Sequence, residues 1–105
     1  MAKRKLTHAE WVAEAQRRFG ANSGAWRFVC PSCGHVALVS DWFAAGAGEG
    51  EVAFSCVGRH LPKAKEMGQR PGPCNYAGGG LFRLNPVTVV DANGNEHDVF
   101  EFADD

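Results

Sequence analysis

The chain has 105 residues, 45% of them hydrophobic, which suits one small domain and argues against wholesale disorder. Its net charge is only −1 and its pI is about 6.4, so it lacks the strong basic balance of a dedicated nucleic-acid binder. No apolar run approaches the ~20 residues of a membrane span, so no membrane segment is expected. The charge is uneven, however: residues 1–70 carry +4 and residues 71–105 carry −5.

In chain order, residues 1–6 read as a flexible basic start, with Lys3, Arg4 and Lys5 but no apolar stretch of a secretory signal. A reducing, cytoplasmic setting is expected. Residues 7–19 read as a helix. Thr7 and Glu10 form a capping box, and Trp11, Ala15 and Phe19 fall on one face. Glu14 and Arg18 are spaced for an ion pair, and Gly20 stops the helix. Residues 25–30 and 35–39 read as the two strands of a hairpin, with Trp26 and Phe28 sharing a face. Ser40 is expected to cap a short helical turn over 41–45, and Gly46 to end it.

A further strand is expected over 51–56. Phe28 and Phe54 each precede a cysteine by two residues, so the pattern of strand followed by ligand occurs twice. Residues 57–73 form an excursion in which Pro62 starts a helical turn through Met67. Residues 81–84 read as a strand that Asn85 and Pro86 bend. Residues 87–90 and 97–102 read as a hairpin around Asn93-Gly94. A two-residue turn there would set Val87 opposite Phe100 and Val90 opposite His97.

The chemistry lies in the cysteines. Cys30 and Cys33 flank a tight turn that Gly34 completes, a knuckle that aims two sulfurs at one point. Cys56 and Cys74 bring the set to four with none left over, the number that a tetrahedral structural zinc requires. The Cys56–Cys74 spacing is unusual, and Arg59 stands where a regular second knuckle would have cysteine. His35 or His60 could replace one cysteine, and a disulfide pair or free buried thiols are the other readings. In a reducing compartment four cysteines favour metal. A zinc deaminase would need a histidine-x-glutamate followed by proline before the first cysteine. His8 and Glu10 are present, but Val29 precedes Cys30, and two cysteines would be idle. A thioredoxin-like redox pair lacks its surrounding strands and helices. Neither activity is expected, and the chain is read as no enzyme.

Trp26–His35, Val52–Arg59 and above all Gly72–Pro86, with its Gly-Pro-Cys-Asn-Tyr block, resemble a small zinc-ribbon-type family encoded by phages and prophages of actinobacteria. The resemblance covers most of residues 10–102. It implies a phage origin and Cys30, Cys33, Cys56 and Cys74 as the metal ligands, and it does not imply an enzyme.

The expectation is therefore a small α+β, zinc-ribbon-like single domain over residues 1–105. Antiparallel hairpins surround the zinc site, with a zinc module at 25–76 and a hairpin region at 81–102. The first functional reading is a protein-interaction module that meets a host or phage protein through the excursion. Arg59, Lys63, Lys65, Met67 and Arg70 are its candidate contacts, with Trp42 and Phe43 as aromatic anchors. Nucleic acid is the second candidate partner, through the same cations and residues 3–5. Self-assembly through a hairpin edge of Val87, Val89, Phe100 and Phe102 is the third. Oligomeric state is left open.

Overall fold

The computed structural model describes residues 4–61, 72–80 and 83–103. Helix α1 spans His8–Phe19, and it starts as the capping box requires. The Glu10 backbone N–H donates to the Thr7 hydroxyl at 3.2 Å, and the Glu10 carboxylate accepts from the Thr7 N–H at 2.8 Å. Gly20, at φ 92°, ends the helix and donates to the Gln16 carbonyl at 2.8 Å.

Of the flexible start expected over residues 1–6, residues 4–6 are strand and residues 1–3 lie outside the described residues. Arg4–Thr7 form strand β1, which runs parallel to β4 (Val87–Val90). A four-residue strand with two charged side chains has no alternating pattern to announce it. Its reason lies at the other end of the chain. The Arg4 guanidinium reaches Glu14 on α1 at 3.1 Å and Glu101 at 2.7 Å, pinning the segment across the molecule. Glu14 also pairs with Arg18 at 3.1 Å.

Two three-stranded sheets form. One has the order β1-β4-β5, where β5 is Glu96–Val99 and pairs antiparallel with β4. The other has the order β3-β2-β6, all antiparallel, from Arg27–Val29 (β2), Val36–Leu38 (β3) and Glu101–Phe102 (β6). Hairpin β2–β3 carries the Cys30–Cys33 knuckle at its tip. A short helix, α2, follows at Val39–Ala44. Its start is held by the Asp41 carboxylate, which accepts from the Leu38 N–H at 2.8 Å, and not by Ser40.

Three strand expectations need correction. Residues 51–56 form no strand: a 3-10 turn at Glu49–Glu51 leads into an irregular stretch where Ala53 takes φ 56°. The place beside β2 that such a strand would fill belongs to β6. The doubled strand-then-cysteine pattern is therefore present in sequence only. Arg83 and Leu84 carry no strand pairing, and the rest of the expected 81–84 strand lies outside the described residues. Finally, the C-terminal hairpin closes through three residues, not two. Asp91 donates to the Asn95 carbonyl at 2.9 Å, and Gly94, at φ 83°, donates to the Asp91 carbonyl at 3.0 Å. The Asp91 carboxylate accepts from the N–H groups of Asn93 and Asn95. The register moves by one residue, to Val87 opposite Val99 and Val90 opposite Glu96.

The side chains of Phe100 and Phe102 are buried, as are those of Val87 and Val89. Strand β4 is moreover paired on both sides. The core is one aromatic chain. Trp11 stacks on Phe28 and Phe102, with ring centroids at 5.9 and 5.8 Å. Phe28 meets Trp42, Trp42 meets Phe100, and Phe100 meets Tyr76. Helix α1 is thereby packed on the second sheet, and the chain of rings ends beside the cysteines, which belong to the same buried cluster. Among the described residues, no helix is long and apolar enough to cross a membrane.

Candidate metal centre

Hairpin β2–β3 makes the first half of the site. Cys30 donates to the His35 carbonyl at 3.0 Å, and Gly34 donates back to the Cys30 carbonyl at 2.9 Å. Gly34 sits at φ 75°, a left-handed conformation that glycine takes at little cost. The second half is built from two separated segments. The Cys56 N–H donates to the Tyr76 carbonyl at 3.0 Å, lacing residues 55–57 to 74–76. The 3-10 turn Val57–His60 then leads away from the site.

These halves bring all four sulfurs together. Cys30, Cys33, Cys56 and Cys74 are buried, and their sulfurs lie within 4.8 Å of one another. Cys30 and Cys74 are 4.0 Å apart, Cys33 and Cys56 3.8 Å. A tetrahedral ion with metal–sulfur bonds of about 2.3 Å sets its sulfurs about 3.8 Å apart. The spacing therefore fits a four-coordinate metal, and all four cysteines are free thiols.

Backbone N–H groups point at the sulfurs, as thiolate ligands require. Cys74 donates to the Cys56 sulfur and Tyr76 to the Cys74 sulfur, each at 3.4 Å. Cys30, Cys33 and Cys56 perturb one another. Hydrogen bonding from Cys30 pushes Cys56 down to about 5, against the opposing effect of burial. The same bond pushes Cys30 up, and burial pushes Cys33 up to about 11. A cation held by all four would let the others ionise too.

Two glycines make the close approach possible. A Cβ on Gly72 would lie 2.2 Å from the Cys33 sulfur, and one on Gly58 would lie 2.2 Å from the Cys74 carbonyl oxygen. Neither position stands out in the sequence, where both are ordinary loop glycines. Tyr76 is the other unforeseen element. It is fully buried, its hydroxyl donates to Asn85 at 3.1 Å, and the Leu84 N–H donates to that hydroxyl at 2.8 Å. Asn85 in turn donates to the carbonyls of Phe54 and Asp98, so the segment carrying Cys74 is tied to the first sheet. The Gly-Pro-Cys-Asn-Tyr block contains the tyrosine, but only the fold shows what its hydroxyl meets.

The other candidate residues are placed differently. His35 and His60 are not among the clustered ligand atoms. Trp42 is fully buried, with its indole N–H donating to the Ser55 carbonyl at 2.8 Å, so it is a core residue and no surface anchor. Phe43, one position on, is 50% exposed. Arg59 is exposed and donates to the Asn75 carbonyl at 3.3 Å. Lys63, Lys65, Met67 and Arg70, with the expected helical turn from Pro62, lie outside the described residues.

No curated protein and no solved structure matches the chain. A family model does, over residues 7–103, which takes in α1, β2 to β6 and all four cysteines. The small α+β domain with its buried cysteine cluster belongs to the VVA0879-like family.

Proposed function

We propose that this chain is a zinc-stapled, non-enzymatic interaction module that binds a host or phage protein in the cytoplasm. Support for zinc comes from the donor set: four buried thiols at tetrahedral spacing, with backbone N–H groups aimed at the sulfurs. Four protein ligands would leave no open position on the ion, which is the arrangement of a structural site.

The observation that carries the interaction reading is the surface around the knuckle. Val36, Phe43 and Leu61 are 44%, 50% and 39% exposed, on the three segments that follow Cys33 and Cys56. Pro73 and Leu61 also line a shallow cleft of about 340 Å³ with His35, Ala45 and Val57. Large apolar side chains left in water around a rigid centre suit a protein partner. Ordinary exposed hydrophobics are the bland alternative, and the test separates them.

Native mass spectrometry comes first, with one zinc per chain expected and unfolding of the cysteine module on strong chelation. A folded chain without metal would end the zinc reading. The tagged chain then captures its partner from host lysate. The double variant Phe43→Ser/Leu61→Ser is expected to keep zinc and folding but lose capture. Capture that falls steeply with salt and with nuclease treatment would favour nucleic acid instead.

A further inference from the structure

On the first sheet, away from the cysteines, α1, β5, the 49–54 segment and Gly78-Gly79 enclose a second cleft. Its volume is about 780 Å³, within the range of sites that take a small group or a peptide side chain. Trp11, Phe54 and Val89 give it apolar walls. Glu49, Asp91, Glu96 and Asp98 give it four carboxylates, against the single guanidinium of Arg83. Histidines aside, the lining side chains carry three net negative charges. Asp91 hydrogen-bonds His97 at 3.0 Å, Asp98 accepts from the Thr88 hydroxyl at 2.7 Å, and Glu96 pairs with the exposed Lys5 at 3.0 Å. Glu49 has no ion pair among the described residues.

We propose that this cleft receives a basic side chain, arginine or lysine, from the partner protein. The inference rests on the interaction reading above and specifies the partner's chemistry. An acidic concavity with low-dielectric walls focuses its field and gathers cations. The methylenes of a long basic side chain pack on Trp11 and Phe54 while its charge meets the carboxylates. A bare divalent cation fits less well. The described residues bring metal-ligating atoms together at the four cysteines and nowhere else. A small anion would meet the wrong sign of charge.

The three tryptophans supply the reporter. The indole N–H of Trp26 donates to Gly20 and that of Trp42 to Ser55, both inside the core. The Trp11 indole N–H has no acceptor among the described residues, and Trp11 lines the cleft. The zinc-loaded full chain is titrated with the capped peptide acetyl-Ala-Arg-Ala-Arg-Ala-amide, and the three indole resonances are followed by NMR. A saturable shift of the Trp11 signal is expected, with Trp26 and Trp42 unmoved. Raising salt from about 50 to about 500 mM shortens the screening length and should weaken binding. The double variant Glu49→Gln/Glu96→Gln should weaken it about fivefold, two exposed charges at modest strength each.

An unmoved Trp11 signal at millimolar peptide overturns the proposal. So does an equal shift with the counterpart that carries glutamate in place of arginine. Partner capture that survives Glu49→Gln/Glu96→Gln but fails in Phe43→Ser/Leu61→Ser overturns the cleft alone and leaves the interaction reading standing.

Discussion

Replacing Gly72 by alanine puts a methyl group where the metal centre has no room. The new Cβ would lie 2.2 Å from the Cys33 sulfur and 2.8 Å from the His35 Cβ. Ordinary contact begins at 3.4 Å, so the gap must open by about 1.2 Å, the difference between 3.4 and 2.2 Å. The neighbour on that side is no floppy side-chain tip. It is a sulfur held in a buried cluster, and about 1.2 Å is half of a zinc–sulfur bond of about 2.3 Å. Either the loop at residue 72 lifts away, carrying Cys74 with it, or Cys33 leaves its ligand position. Overpacking of this kind costs about 3 kcal/mol, which corresponds to a zinc affinity lower on the order of 100-fold. Metal binding and folding are coupled in small sites, so the loss should show in both. Competition with a chromophoric chelator reads the affinity, and thermal melting of the zinc-loaded protein reads the fold. Gly50→Ala is the control, since nothing lies within 4 Å of a Cβ there. A Gly72→Ala protein that binds zinc and melts like Gly50→Ala would refute the packing argument and, with it, the geometry of this half of the site.

Three further outcomes follow from the frame around the site. Arg4 hydrogen-bonds Glu14 and holds its carboxylate below the usual range, outweighing the opposing effect of burial. The pair therefore adds stability above the unfolded carboxylate value near 4.3 and loses it as pH falls through the lower folded value. Glu14→Gln should cost about 1–2 kcal/mol at neutral pH, discounted for the half-open Arg4 side, and progressively less as pH falls below the usual carboxylate range, read from urea unfolding curves. Tyr76→Phe leaves the Leu84 N–H and the Asn85 side chain each short of a partner, and should lower stability by about 1–3 kcal/mol. An unchanged denaturation midpoint would show that water replaces the hydroxyl. Gly94→Ala forces a methylated residue into φ 83° and should cost about 1 kcal/mol, seen as an earlier midpoint with unchanged slope.

Local features were legible wherever the physics is local. The Thr7–Glu10 capping box and the Gly20 stop need only a few neighbouring residues, and they mark α1 in the sequence as in the structure. The Cys30–Cys33 knuckle is likewise a short-range pattern. The count of four cysteines pointed to one centre, and the sulfurs converge. Phe54 and Cys56 misled for the opposite reason. They copy the spacing of Phe28 and Cys30, but a strand also needs a free neighbour, and the edge of β2 was already taken by β6. In the hairpin, Asn93-Gly94 announced a turn, yet the Asp91 carboxylate chose its length by binding two backbone N–H groups. Phe100 and Phe102 are core because the chain leaves β5 at Val99 and joins β2 as β6.

The amino-acid sequence by itself determined the four cysteines that could hold a metal and the long helix with its caps, because these depend on residue type and on separations of a few residues. Only the tertiary structure decided that Arg4–Thr7 is a strand, that Trp42 is inside and Phe43 outside, and that Gly58 and Gly72 are spacers for the sulfurs. Each of those depends on a partner far along the chain. Which distant segment wins a sheet edge or a place beside a sulfur is settled by competition for the same space, and no local pattern records the winner.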